Sequence, residues 1–132
     1  DGRVVTWGWA EDGGDSSSLE EELASGVQRV VATECAFAAL KEDGRVVTWG
    51  KPDNGGDSIA VEDELAGGVK NVVATRHGFA VLKEDGKMVT WGWTYISEAV
   101  EELACKIVDA IKVSKYRFDV IGRTDSGVVK II

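Results

Sequence analysis

Short runs of alternating apolar and polar positions, divided by glycine and aspartate, recur along the chain. Residues 27–33 (VQRVVAT), 36–41 (AFAALK) and 45–49 (RVVTW) are three such runs in succession, rich in β-branched and aromatic residues. A period of two in runs this short predicts strands rather than helices. The Asp43-Gly44 pair between the second and third runs predicts a tight hairpin, because both residue types tolerate positive φ. Within VVTW, Val47 and Trp49 fall on one face and Val46 and Thr48 on the other. The same device returns at Asp85-Gly86 and, in the form Asp125-Ser126-Gly127, near the end. Three antiparallel strands per unit is the expected sheet.

A different pattern fills the stretch between each Trp-Gly and the next strand. After the loop EDGGDSSS, residues 19–24 (LEEELA) predict a helix of one to two turns. Ser18 with Glu21 has the spacing of a capping box, the acidic first turn suits the helix dipole, and Gly26 suits a stop. Residues 61–66 with Gly67, and residues 97–104, repeat the pattern. Such short helices must be held by packing, so Leu23, Leu65 and Leu103 are the expected inward anchors.

These elements form a repeat. DGRVVTWG begins at Asp1 and at Asp43, and DGKMVTWG at Asp85, a period of 42 residues. Units 1–42 and 43–84 agree at 27 of 42 positions without a gap. A fixed period of this size marks an architecture in which each unit buries its apolar face on its neighbours. Unit 85–132 diverges: its loop WTYISEAV lacks the GGDS element, YRFDVIG keeps only Phe118 in step with Phe37 and Phe79, and the closing GVVKII has no Trp-Gly. That suits a terminal cap. The strand expected at residues 3–7 lacks the ALKE run that should precede and pair with it. An unpaired edge invites a partner, so it closes onto the last unit, joins a neighbour, or once followed more chain.

At 132 residues the chain has room for one domain, and its 44% hydrophobic content fits a globular protein. The net charge of −8, with no long Lys/Arg cluster, argues against nucleic acid as a partner. No apolar run approaches the roughly 20 residues of a membrane span, so direct membrane insertion is not expected. The chain opens at Asp1 without methionine, which reads as processed or trimmed and leaves the compartment undetermined. Cys35 and Cys105 occupy non-equivalent repeat positions and read as small core residues.

Asp43-Gly44, Val47, Trp49-Gly50, Gly55-Gly56, Leu65, Gly68-Val69, Val72, Ala74, Ala80 and Leu82, with their counterparts one period away, carry a resemblance. The pattern resembles the repeat of the regulator of chromosome condensation family, in a shortened variant. The resemblance implies a mainly β fold with short helices, in which three tandem three-stranded units form part of a β-propeller. An open repeat stack and a β-trefoil-like threefold are the alternatives. The resemblance also implies that loops and strand edges contact other proteins. The family's nucleotide exchange on a small GTPase depends on loops and a basic tail that this sequence lacks.

Among candidate sites, Trp7, Trp49 and Trp91 sit at equivalent strand positions and read as packing wedges between units. Trp9 and Trp93 follow Trp-Gly in loops, where unit two has Lys51, and Tyr95 lies beside Trp93. Loop aromatics at one end of a scaffold suit a protein interface, so Trp9, Trp93 and Tyr95 are partner-binding candidates, with Arg76 and His77 in a strand-to-strand turn. His77 is the only histidine and its repeat equivalents are Cys35 and Tyr116, a weak basis for acid–base chemistry. Asp12, Asp15, Asp53 and Asp57 are explained by turn formation, so neither metal nor cofactor is expected. Catalytic sites rarely come in triplicate, so the expectation is a non-catalytic interaction or scaffold module. Its partners are other proteins, or a second copy through the N-terminal edge strand. A narrower version is a peripheral accessory subunit of a large complex, such as an algal photosynthetic membrane assembly. A small-ligand or carbohydrate-binding module is the alternative.

Overall fold

The computed structural model describes residues 2–93 and the two later strands Val120–Arg123 and Val129–Ile131. The protein is mainly β, with short helices between sheets. The first sheet holds β1 (Val27–Ala32), β2 (Ala36–Lys41) and β3 (Val46–Gly50) in that spatial order. The second begins with β4 (Val69–Ala74), β5 (His77–Lys83) and β6 (Lys87–Trp93), again antiparallel neighbours. Each sheet straddles the sequence repeat: two strands end one unit and the third opens the next. The Asp-Gly turn makes that join. Gly44 has a φ of 87°, and the Asp43 carboxylate accepts the Arg45 amide at 3.1 Å.

Register repeats as closely as sequence does. Phe37 lies opposite Trp49 in the first sheet and Phe79 opposite Trp91 in the second. Both first ladders slip by one residue at the same place, between Val27 and Arg29 and between Val69 and Asn71. Strand alternation then sorts the side chains into two cores. Ala36, Ala38, Leu40 and Val46 leave one face of the first sheet and pack on Val72, Phe79, Val81, Val89 and Trp91 of the second. Small residues on one side make room for two large rings on the other. The opposite face of the first sheet carries a lesser cluster, in which Ala39, Trp49 and Leu23 meet Val4, Leu19, Val27, Phe37 and Val47.

The helices are α1 (Glu20–Leu23) and α2 (Glu62–Leu65), each entered through a 3₁₀ turn. Leu23 and Leu65 are buried as expected. The capping box of Ser18 and Glu21 does not form, because Ser18 lies inside the 3₁₀ turn, where unit two has Ala60. Instead Asp15 and Asp57 each accept a backbone amide two residues on, from Ser17 and Ile59, at 3.0 Å. At the other end the Lys41 ammonium donates to the carbonyls of Glu22 and Ser25, and Lys83 to those of Glu64 and Gly67. The buried Lys41 and the largely covered Lys83 thus satisfy helix-end acceptors. The left-handed residues are Gly26 and, in unit two, Gly68 rather than Gly67.

Two sequence expectations need revision. The described strands of the third unit, β7 (Val120–Arg123) and β8 (Val129–Ile131), form no separate sheet. They pair with each other, and β8 pairs with β6, which extends the second sheet to five strands. The helix at 97–104, Leu103 and the run 106–114 lie outside the described residues. Second, residues 3–7 are not a strand. Among the described residues their backbone bonding reduces to the Val4 amide on the Leu23 carbonyl, 2.8 Å. The local sequence equals that of β3, but among the described residues no strand lies alongside to complete a ladder.

Candidate functional site

The segment 2–8 sits on the first sheet much as 44–50 sits on the second. The carbonyl of Gly2 accepts the Val27 amide at 3.0 Å, as that of Gly44 accepts the Val69 amide at 3.0 Å. Thr6 Oγ1 bonds the Gly14 carbonyl and Ser16, as Thr48 Oγ1 bonds that of Gly56 and Ser58. Val4 packs inward, as Val46 does. The resemblance ends on the outward side.

There Trp49 and Trp91 are 4% and 6% exposed, and Trp7 is 84% exposed. Each buried indole wedges between units. Trp49 stacks on Phe37 with centroids 5.3 Å apart and donates to the Gly13 carbonyl at 3.1 Å. Trp91 lies against Phe79 at 5.5 Å and donates to the Gly55 carbonyl at 3.0 Å. The accepting glycine lies 36 residues earlier in both cases. The described residues show the packing wedge at Trp49 and Trp91 and leave Trp7 exposed.

Beside this segment runs an apolar groove of about 440 Å³, lined by Val5, Trp7, Val30, Phe37 and Trp49. The equivalent surface of the second sheet is closed. Val72 is 1% exposed where Val30 is 40%, and Phe79 and Val89 are buried where Phe37 and Val47 are half-buried. What closes it is the β2 side of the first sheet, with Ala36, Ala38 and Leu40. Sequence reasoning flagged the open edge but not the groove. The signal that could have found it was Val30, whose repeat partner Val72 belongs to the central core.

The proposed partner-binding residues occupy the end of the sheets away from the Asp-Gly turns. His77 and Trp93 face each other across β5 and β6, with Trp93 exposed. Trp9 is also exposed, and its carbonyl takes the amides of Asp12 and Gly14 to shape the following loop. Arg76 and His77 both reach Glu34, at 2.8 and 3.2 Å, tying the turn of one unit to that of the next. Their bonds, Arg76 first, hold the Glu34 carboxyl below the usual carboxylate range. Arg76 and His77 thus make a contact between units while staying partly exposed, and Trp9 and Trp93 are exposed aromatics of this end. Tyr95 lies outside the described residues.

The chemistry available is limited. Partial burial, then the Asp12 carboxylate, push the Cys35 thiol above its ordinary value, opposite to what a nucleophile requires. No group of three His, Cys, Asp or Glu side chains converges as a metal site among the described residues. Asp12 and Asp53 lie in the 3₁₀ turns Ala10–Asp12 and Pro52–Asn54, and Asp15 and Asp57 each hold an amide two residues on. No described helix is long and apolar enough to cross a membrane. No protein-family model matches the chain, and no curated protein is similar to it above chance.

Proposed function

We propose that the chain is a non-catalytic protein-interaction module of the condensation-regulator repeat type, working as a piece of a larger assembly, with its units arranged as part of a propeller. One observation carries this reading. Val5, Trp7, Trp9 and Trp93 are exposed, in a repeat that buries Trp49 and Trp91, the equivalents of Trp7, almost completely. Val5 and Trp7 line the apolar groove, and exposed aromatic and aliphatic side chains of this kind favour association with another polypeptide, which removes them from water.

The test is site-specific photocrosslinking in cells that make the protein. A photoreactive residue at Trp9 or Val5 is expected to trap a discrete protein band, and one at Glu20 on the acidic helix is not. Equal yields at all three positions would contradict an interaction face.

A further inference from the structure

We infer that Asn54-Gly55 is a self-modification site, at which the asparagine deamidates only when the loop that carries it opens. The inference is independent of the interaction reading above. The sequence holds two asparagines, Asn54 before a glycine and Asn71 before Val72. Gly55 has no side chain to shield its own nitrogen, so in an open chain that nitrogen attacks the side-chain carbonyl carbon of Asn54. One C–N bond forms there and the bond from the same carbon to Nδ2 breaks. The Nδ2 group takes up the Gly55 amide proton and leaves as ammonia. Water then opens the resulting cyclic imide at either carbonyl, giving aspartate or isoaspartate, with no oxidant or reductant involved. Asn71 lies in β4 ahead of a β-branched residue, and both features resist the same attack.

In the folded chain the site is guarded. Asn54 is 8% exposed and closes the 3₁₀ turn Pro52–Asn54. The Gly55 amide donates to the Pro52 carbonyl at 3.1 Å, which engages the attacking nitrogen and fixes the backbone around it. Thr33 Oγ1 donates to the Asn54 carbonyl at 2.9 Å, a latch from the preceding unit. Attack requires these bonds to be given up together, which is a local opening rather than global unfolding.

The repeat supplies the comparison. Unit one has Asp12-Gly13 in the same turn, with the Gly13 amide on the Ala10 carbonyl at 3.3 Å and the same φ of 98° at both glycines. The loop backbone therefore tolerates an acid at this position, but Asp12 is exposed and Asn54 is buried. An aspartate at 54 would place a charge where water is scarce, and an isoaspartate would add a methylene to the main chain before Gly55. Gly55 holds the second wedge: its carbonyl accepts from Trp91 Nε1 at 3.0 Å, and a Cβ on it would lie 2.4 Å from the Phe79 ring. Deamidation thus loosens the seat of Trp91, in one direction and without a second protein.

The experiment ages the whole chain beside a synthetic peptide of residues 48–60 in neutral buffer. Both are held with and without urea below the chain's unfolding midpoint, and mass spectra follow the fragments that contain each asparagine. The peptide is expected to convert about tenfold or more faster than the folded chain, and urea to speed the chain but not the peptide. Thr33→Val, which removes the latching hydroxyl, should raise the chain's rate several-fold; urea on the natural chain carries the same test if that variant fails to fold. Asn54→Asp is expected to unfold at lower urea than the natural chain. Conversion of the chain at the peptide's rate, a chain rate indifferent to urea, or faster loss of Asn71 would overturn the inference. An Asn54→Asp chain as stable as the natural one would overturn the loosening.

Discussion

The octapeptide DGRVVTWG occurs twice in this molecule and has two fates. At residues 43–50 it turns at Gly44 and becomes the last strand of a sheet, with its indole sealed between units. At residues 1–8 the described part lies along the first sheet without entering a ladder, and its indole stands in solvent. The octapeptide sequence, the Val and Thr inward contacts and the conformation of the following loop are the same. The difference is the presence of β2 on one side and the Gly13 loop beyond it. Strand formation here is a property of neighbours, and the local β preference of VVTW only makes it possible.

Four sets of substitutions break or sharpen that comparison. The largest contrast sets Trp91→Ala against Trp7→Ala. Emptying the buried site should cost about 3–5 kcal/mol, and the exposed one under about 0.5, read as denaturant midpoints at constant slope. Next come Gly55→Ala and Gly13→Ala. Both glycines have φ of 98°, and a Cβ at either would lie 2.4 Å from a phenylalanine ring. The Phe79 ring is enclosed and cannot yield, so Gly55→Ala should cost about 2–4 kcal/mol from overlap and left-handed strain. Phe37 borders the open groove, so Gly13→Ala should cost about half as much.

Lys83→Met and Lys41→Met probe the helix ends. Each strips two carbonyls of their donor and should cost about 1–2 kcal/mol, with similar values in the two units because these contacts repeat on both. Smallest is Glu34→Gln, which weakens an exposed tie between units. The folded carboxyl titrates below its unfolded value, so its contribution is present above the unfolded carboxyl's titration and lost as pH falls through the folded one. Thermal melts of the natural and Glu34→Gln chains should therefore differ slightly at neutral pH and converge in acid. A difference that grows in acid would contradict the tie.

Much of this fold was legible because alternation and turn chemistry agreed. Residues 27–33, 36–41 and 45–49 became β1, β2 and β3 within a residue or two, and the faces of Val46 and Val47 were assigned from period alone. Leu23 and Leu65 were identifiable as anchors because a one-turn helix has little else to bury. The helix entrance was misread, since a capping box at Ser18 and a turn at Asp15 look equally good until the 3₁₀ turn is seen. The segment at 3–7 was read as a strand from its local alternation, and among the described residues it enters no ladder, because alternation specifies a strand's faces but not its partner. Of the candidate site, the exposed Trp9 and Trp93 were legible from their place after Trp-Gly. The structural tie of Arg76 and His77 to Glu34 was not, because it joins residues 42 and 43 apart.

Amide hydrogen exchange, resolved by residue, tests the central claim most directly. In the chain alone at low concentration, the amides of Val46–Gly50 are predicted to exchange only through large openings. Those of residues 5–8, the same sequence, should exchange at close to unstructured rates, with Val4 slowed by its bond to Leu23. Equal protection of the two octapeptides would contradict the account, since the shared sequence would then suffice to make the strand.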